Sequence, residues 1–397
     1  MGLLPHLNLT TILGTTYRRY GPPYLFGINT ADRLFHTYIV GQTGTGKSSL
    51  LLNMARQDAA NGQGFCLIDP HGDLALAISK AVGPNHLYWD VADPSCPLGY
   101  NPLAFVSAEY RPLVASGLID TMKKQWADAW GARMEHLLRY SVLALLERPH
   151  STLQDIMPMF LDKDFRREVI NNINDSQVKS FWTVEFPAMN YRTAVDGVAP
   201  IANKLGAFLA HPVVRKALCT PEQPLRFRQI MDKGKVLVVN LAKGRLGADA
   251  ANVLGGLIVS SIANAAYSRQ TIPESDRRPF FLYVDEFHSL TTSAFADMLS
   301  ELRKYALGLV ATTQYSSRLD DGVREAIFGN VGTIMAFRVG ATDAALIAKQ
   351  FGADLPQPSD LVGLANYEMY LKLMIVGLQS KPFSARTLSH YSPETVA

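Results

Sequence analysis

The chain has 397 residues, of which 48% are apolar and 18% charged, and its formal net charge is +3. This composition excludes a disordered chain and fits a globular protein large enough for about two or three domains. The mild positive charge permits a nucleic-acid partner without arguing for one. Cys66, Cys96 and Cys219 are far apart and match no metal-ligand spacing, so they read as buried thiols in a reducing compartment.

Residues 1–35 are rich in Pro, Gly and Tyr without a sustained period. They read as an irregular lead-in with a short strand or two. No secretory leader is read at residues 1–11, and no apolar stretch reads as long and uninterrupted enough to span a bilayer. The expectation is a cytoplasmic protein, with any recruitment to the inner membrane supplied by a partner. Strand-like runs follow at 37–40, 65–69 and 87–90 with helical stretches between them, which predicts a parallel sheet with helices on its faces. From about residue 107 to 227 strand signals vanish. Amphipathic helices are predicted at 114–122, 132–146, 153–160, 165–173 and 198–209. Strands resume at 235–241, 280–285, 307–313 and 333–338, and 368–375 with 383–388 predict a closing hairpin. The economical reading is an α/β fold in four segments: lead-in (1–35), first part of the core (36–106), an all-helical insertion (107–227) and second part of the core (228–397).

The first strand runs straight into Gly41-Gln42-Thr43-Gly44-Thr45-Gly46-Lys47-Ser48, a full phosphate-binding loop, with the apolar run Leu50-Leu51-Leu52 behind it. The glycines let the backbone turn several N–H groups onto one anion, and the helix start adds its positive end. Lys47 can reach the β- and γ-phosphates of a nucleoside triphosphate, and the Ser48 hydroxyl can ligate Mg²⁺. Ser49 is counted with the loop as a nucleotide-binding residue. A second motif closes the apolar run Phe280-Phe281-Leu282-Tyr283-Val284 with Asp285-Glu286. An acid there can hold Mg²⁺, and a neighbouring glutamate can act as general base toward water. Alternatively, the two acids merely cap the next helix. The run ending in Thr312-Thr313 delivers Gln314, whose amide can bond both the lytic water and the γ-phosphate.

Three further stretches carry a family resemblance: Leu67-Ile68-Asp69-Pro70-His71-Gly72-Asp73-Leu74, Val238-Val239-Asn240-Leu241-Ala242-Lys243-Gly244-Arg245-Leu246-Gly247, and Leu302-Arg303-Lys304-Tyr305 leading into Ala311-Thr312-Thr313-Gln314. With the nucleotide motifs, the chain resembles the HerA/FtsK group of RecA-like motor ATPases over roughly residues 27–390. Within that group it is similar to the TraG/TraD-like coupling ATPases of conjugation and type IV secretion. The resemblance implies six-membered rings with ATP at subunit interfaces and DNA in a central pore, alongside a secretion-channel, relaxase or nuclease partner. It implies that Lys47 and Ser48 bind the phosphates and Mg²⁺, that Asp285 holds the metal, that Glu286 activates water and that Gln314 senses the γ-phosphate. Arg303 falls where the family often supplies an arginine finger to a neighbouring subunit, with Arg338 as the second candidate. Asp69 and His71 either line the catalytic pocket or serve only a turn. The family's usual N-terminal transmembrane helices are not read in this chain, which leaves a soluble motor domain or a soluble relative as the expectation. The function implied is ATP-driven DNA translocation. The alternatives are an ATP-switched adaptor for protein substrates and a genome-packaging or DNA-processing ATPase.

Signals for nucleic acid in the residues themselves are thin. Residues 107–228 carry 16 basic and 13 acidic side chains, no footprint of a dedicated DNA-binding domain. Lys243 and Arg245 read as loop cations, and Lys163, Arg166 and Arg167, with Lys123-Lys124, as small basic clusters. Trp126 and Trp130 read as sharing a helix face that Tyr140 can join, for core packing in preference to base stacking.

Overall fold

A computed structural model describes residues 9–16, 23–104, 106–189, 191–352 and 356–388, with backbone alone at 191–195 and 293. Its strands are β1 (Thr10–Thr16), β2 (Leu25–Asn29), β3 (Thr37–Val40), β4 (Gly64–Asp69), β5 (Leu87–Asp90), β6 (Leu98–Gly99), β7 (Gln223–Pro224), β8 (Val236–Asn240), β9 (Phe280–Val284), β10 (Leu307–Thr313), β11 (Thr333–Ala336), β12 (Glu368–Lys372), β13 (Met374–Ile375), β14 (Leu378–Gln379) and β15 (Phe383–Thr387). Eleven of them form one sheet in the order β2-β1-β15-β12-β11-β3-β10-β9-β4-β8-β5. The neighbours from β11 across to β8 run parallel, and β12, β15, β1 and β2 pair antiparallel beyond them. β3, β4, β8, β9, β10 and β11 are buried at every residue, as expected of parallel strands covered on both faces. The expected α/β fold with a mainly parallel central sheet is observed.

The chain divides into two compact units: Met1–Tyr88 with Arg228–Leu241 and Ala265–Ala397, and Trp89–Phe227 with Ala242–Asn264. The division falls before Trp89 instead of after residue 106, and residues 242–264 go with the second unit instead of the core. The sequence pattern does not reveal this, because an apolar helix reads alike in either unit.

The lead-in is more ordered than expected. Its described part supplies β1, β2 and the short helix Thr30–Arg33, while residues 1–8 and 17–22 lie outside the described residues. Two groups on the helix Lys47–Ala60 tie it down. The buried Gln57 amide accepts from Ile12 N (2.8 Å) and donates to Ile12 O (2.8 Å). That pairing sits at the register shift between Ile12 and Gly14 in the β1–β2 ladder, where Leu13 is the residue skipped by the pairing. The Arg33 guanidinium, 1% exposed, forks onto both oxygens of Asp58 (2.5 and 2.8 Å) and reaches Tyr283 Oη (2.6 Å) and Thr11 Oγ1 (2.9 Å). The 368–375 strand stops at Lys372; β12 pairs with β15 as the expected hairpin, and β13–β14 form a small second one between them.

In the second unit the main helices are Arg111–Gln125, Ala132–Leu145, Lys163–Asn172, Tyr191–Ala210 and Pro212–Cys219. The segment is not wholly helical, since Gln223–Pro224 pairs in parallel with Leu98–Gly99. The tryptophans do not share a face. Trp126 is buried edge-on against Phe208, and Trp130 Nε1 donates to Glu135 (2.9 Å). Tyr140 instead stacks on Phe181 at 4.1 Å. Lys243 and Arg245 lie on a helical turn, Lys243–Leu246, and Arg245 Nη2 donates to Asp90 Oδ1 (2.6 Å). Arg166 donates to the carbonyls of Met159 and Phe160, so it serves a helix end. One segment, Ala248–Thr271, is long and apolar enough to cross a membrane, contrary to the sequence expectation, but 67% of its apolar window is buried within the protein. Its hydrophobicity is accounted for by core packing.

Candidate active site

The sheet order builds the site. β3 lies between β11 and β10, and β9 and β4 follow β10 on one side. Their C-terminal ends therefore meet in a row at the phosphate loop. Helix Lys47–Ala60 begins directly after Gly46 (φ 121°), and Gly44 is also left-handed (φ 76°). Neither conformation suits an L-residue with a side chain. Gly41 has a different reason: a Cβ there would stand 2.6 Å from Phe337 Cβ. Thr45 Oγ1 donates to Gln42 O (2.7 Å), and Lys47 Nζ donates to Gly41 O (2.5 Å) and Gln42 O (2.9 Å). The lysine thus spans its own loop.

A cavity of about 310 Å³ opens over that loop. Its walls include Thr43, Gly44, Gly46, Lys47, Ser48 and Ser49 from the loop and helix start. Asp69, His71 and Asp73 enter from the turn after β4, Asp285 from the end of β9 and Gln314 from the end of β10. Residues hundreds of positions apart are gathered here: Gln314 Nε2 donates to Glu286 Oε1 (3.3 Å), and His71 Nε2 donates to the same oxygen (3.0 Å). Glu286 reaches them from a left-handed backbone (φ 49°, ψ 43°). For a glutamate that is strained by about 1–3 kcal/mol, a feature that clusters at functional sites. Gly41 and Thr45 belong to the loop itself, so every expected phosphate-loop residue is in or beside the cavity.

Asp69 has two roles at once. Its carboxylate accepts from His71 N (2.8 Å) and Ala75 N (2.9 Å), which fixes the turn into helix Asp73–Ala81, and it also lines the cavity. Gly72 (φ 100°) is required in that turn, since a Cβ would fall 2.5 Å from Asn240 Oδ1. Burial pushes the Asp285 carboxyl above the usual carboxylate range. The Thr312 hydroxyl, which donates to it, opposes that shift, and neighbouring Asp69 adds to it. Burial lowers the Lys47 ammonium, with Asp285 and Glu286 opposing. Two carboxylates, Asp69 and Asp285, face the same cavity beside Lys47, an arrangement that suits a divalent cation. Among the described residues no group of three or more His, Cys, Asp or Glu side chains could hold a metal alone. An ion here would take most ligands from phosphate and water, as Mg²⁺ does.

Arg303 is not in the cavity. It sits in the turn Arg303–Tyr305 before β10, with its guanidinium 3.5 Å from the Phe35 ring centroid. Gln314 lies at the other end of that seven-residue strand, so the two are separated by roughly 20 Å. Arg338 is held beside the loop, donating to Gln42 Oε1 (3.4 Å), Leu364 O (3.1 Å) and Asn366 Oδ1 (3.0 Å). The cavity also includes Leu74 and Tyr367, which sequence reasoning does not single out. A lone tyrosine before a strand carries no motif, and only the fold brings it to the loop.

A phosphate loop on a central strand, with an acid-ended strand two places away and a polar-ended strand between, defines a RecA-like P-loop nucleotide-binding fold. Comparison with known proteins agrees. A family profile described as "type IV secretion-system coupling protein DNA-binding domain" matches residues 27–355, and the chain belongs to that family. Among solved structures, the bacterial conjugative coupling protein TrwB (TrwBdeltaN70, unbound form) is similar at a TM-score of 0.69 and 19% identity, covering 92% of this chain and 87% of that one. TrwB in complex with the non-hydrolysable GTP analogue GDPNP gives 0.70 and 18%, with coverages of 92% and 88%. VirB4 of Thermoanaerobacter pseudethanolicus gives 0.65 and 14% over the whole of both chains. A search of curated proteins found no match.

Proposed function

We propose that this chain is an ATP-driven ring motor that translocates DNA in conjugative transfer or a related type IV secretion process. The observation that carries the reading is the convergence of Lys47 and Ser48 of the phosphate loop with Asp285 and Gln314 on one cavity, with Glu286 hydrogen-bonded to two residues of its lining, Gln314 and His71. TrwB has been solved with GDPNP, with an ATP analogue, and with ADP and Mg²⁺. The same ligand class is proposed here. The loop N–H groups and Lys47 bind the phosphates, releasing the lysine from its own carbonyls. Ser48 and Asp285 would hold Mg²⁺, which supplies charge neutralisation on the phosphates. Glu286 takes the proton from the attacking water, and Gln314 orients that water. Arg303 acts from a neighbouring subunit, most simply within a hexamer. DNA passes through the ring, and a partner in the secretion machinery sets where the motor works.

The test is ATP turnover by protein of known oligomeric state, with and without single- and double-stranded DNA. Turnover stimulated by DNA supports the motor. Turnover indifferent to both DNAs would overturn it in favour of an ATP-switched adaptor for protein substrates.

A further inference from the structure

We propose that Tyr367 is the nucleobase platform of this cavity, and that the site accepts bases by stacking instead of reading their edges. The proposal rests on the reading of the cavity as a triphosphate site. The sheet order separates two flanks about β3. Asp69, His71, Asp285 and Gln314 come from strands β4, β9 and β10 on one side. Tyr367 enters from the other side, one residue before β12. With the terminal phosphate drawn toward the acids and Gln314, the nucleoside leaves toward the Tyr367 flank.

Tyr367 has no core-packing role to explain its place, being 41% exposed. Yet it is pinned. Its N–H donates to Thr45 O inside the phosphate loop (2.8 Å), and its carbonyl accepts from Thr387 N (2.9 Å). Its φ is 68°, a left-handed conformation unusual for an aromatic residue. The ring lies against the loop, since a Cβ at Gly46 would stand 3.1 Å from Tyr367 Cδ1. Backbone strain and a loop anchor together hold a partly exposed aromatic ring in the cavity wall beside the helix start.

Among the described residues, the cavity lining carries no carboxylate or amide on that flank. The cavity's carboxylates and its amide, Gln314, all come from the β4–β9–β10 side. Nearby Arg338 is committed to Gln42, Leu364 and Asn366. Stacking without edge contacts tolerates every base, because each has a π face.

The experiment measures binding of ATP, GTP and inorganic tripolyphosphate to the full chain by calorimetry, in wild type, Tyr367→Ala and Tyr367→Trp. The alanine variant is expected to bind ATP and GTP about tenfold more weakly or worse. Its tripolyphosphate affinity is expected to stay within about twofold of wild type, since only a π face has been removed. Tyr367→Trp is expected to restore both nucleotides. Wild type is expected to bind ATP and GTP within about tenfold of each other. Equal weakening of tripolyphosphate and ATP would show that Tyr367 shapes the loop and would overturn the proposal, as would an unchanged ATP affinity. A wild type that binds none of the three ligands would instead overturn the triphosphate reading itself.

Discussion

Glu286 and Lys47 divide the work at the level of single side chains. In the proposed mechanism Lys47 neutralises phosphate charge, whereas Glu286, which accepts from His71 and Gln314, takes the proton. Lys47→Ala is expected to abolish nucleotide binding. Glu286→Gln is expected to keep ATP bound while turnover falls by about 10²–10⁴. Binding isotherms and single-turnover hydrolysis separate the two, and near-wild-type turnover in Glu286→Gln would remove it from the mechanism. Asp285 makes a second case. Its folded-state pKa is raised by burial first, so its charged form destabilises the ligand-free fold. For an acid shifted upward, that penalty is absent below the unfolded pKa and grows as pH rises through the folded one. Asp285→Asn, which keeps an oxygen for Thr312, should therefore raise the melting temperature of the ligand-free protein at neutral pH by roughly 1–3 °C. The gain should shrink toward about pH 4, and Mg²⁺-dependent turnover should be lost. Thermal melts at the two pH values check this, and a lower melting temperature at neutral pH would contradict it.

The entry to β3 shows what an element demands of its neighbours. His36 immediately precedes the strand in a left-handed conformation (φ 67°) and is buried. Its Nδ1 accepts from Leu309 N (3.0 Å) on β10, and its Nε2 donates to Leu299 O (3.0 Å) on helix Ser293–Leu302. The ring thus joins the strand that ends in the phosphate loop to the strand that ends in Gln314. That pattern uses one tautomer of a neutral imidazole. Burial, with nearby Arg303 adding to it, holds its pKa down to about 4. A base depressed in the folded state stabilises the fold above its unfolded pKa, and that contribution is lost as pH falls. From about pH 6.5 down to pH 4 the protein should lose on the order of 3 kcal/mol through this residue. Denaturant midpoints across that window check it against His36→Gln, which should lose most of the slope; parallel slopes would rule His36 out as the cause.

At the scale of the whole molecule, the arrangement of the sheet makes Arg303 unable to serve its own cavity. It stands at the start of β10 while the cavity stands at the end. A finger role for Arg303 can therefore be played only in a neighbour's site, and the mechanism proposed above then requires an oligomer. Arg303→Ala and Lys47→Ala subunits should each be inactive alone and partly recover on mixing, because a mixed ring pairs an intact Lys47 with a neighbour's intact Arg303. An arginine finger contributes about 10³–10⁵ in turnover, so even a few restored interfaces are measurable. Mixed assembly is verified by co-purification of differently tagged subunits. A fully active monomer at high dilution would refute the proposal.

Sequence alone determined what is local in the chain. Gly41 to Ser48 is a contiguous backbone device, and Asp285-Glu286 directly ends a buried strand, so residue order suffices to read both. The parallel α/β fold and the coupling-protein family were legible for the same reason, through strand–helix alternation and short motifs. Only the tertiary structure decided which distant residues meet. The sheet order is not the chain order, so β12 carries Tyr367 to a loop more than three hundred positions earlier, and β1 and β2 join the far edge. Residues 242–264 went to the second unit because an amphipathic or apolar pattern states that a face is buried but not against what. Arg303 was drawn to the site by its position in the chain, whereas the strand between it and Gln314 sets the distance that keeps it out.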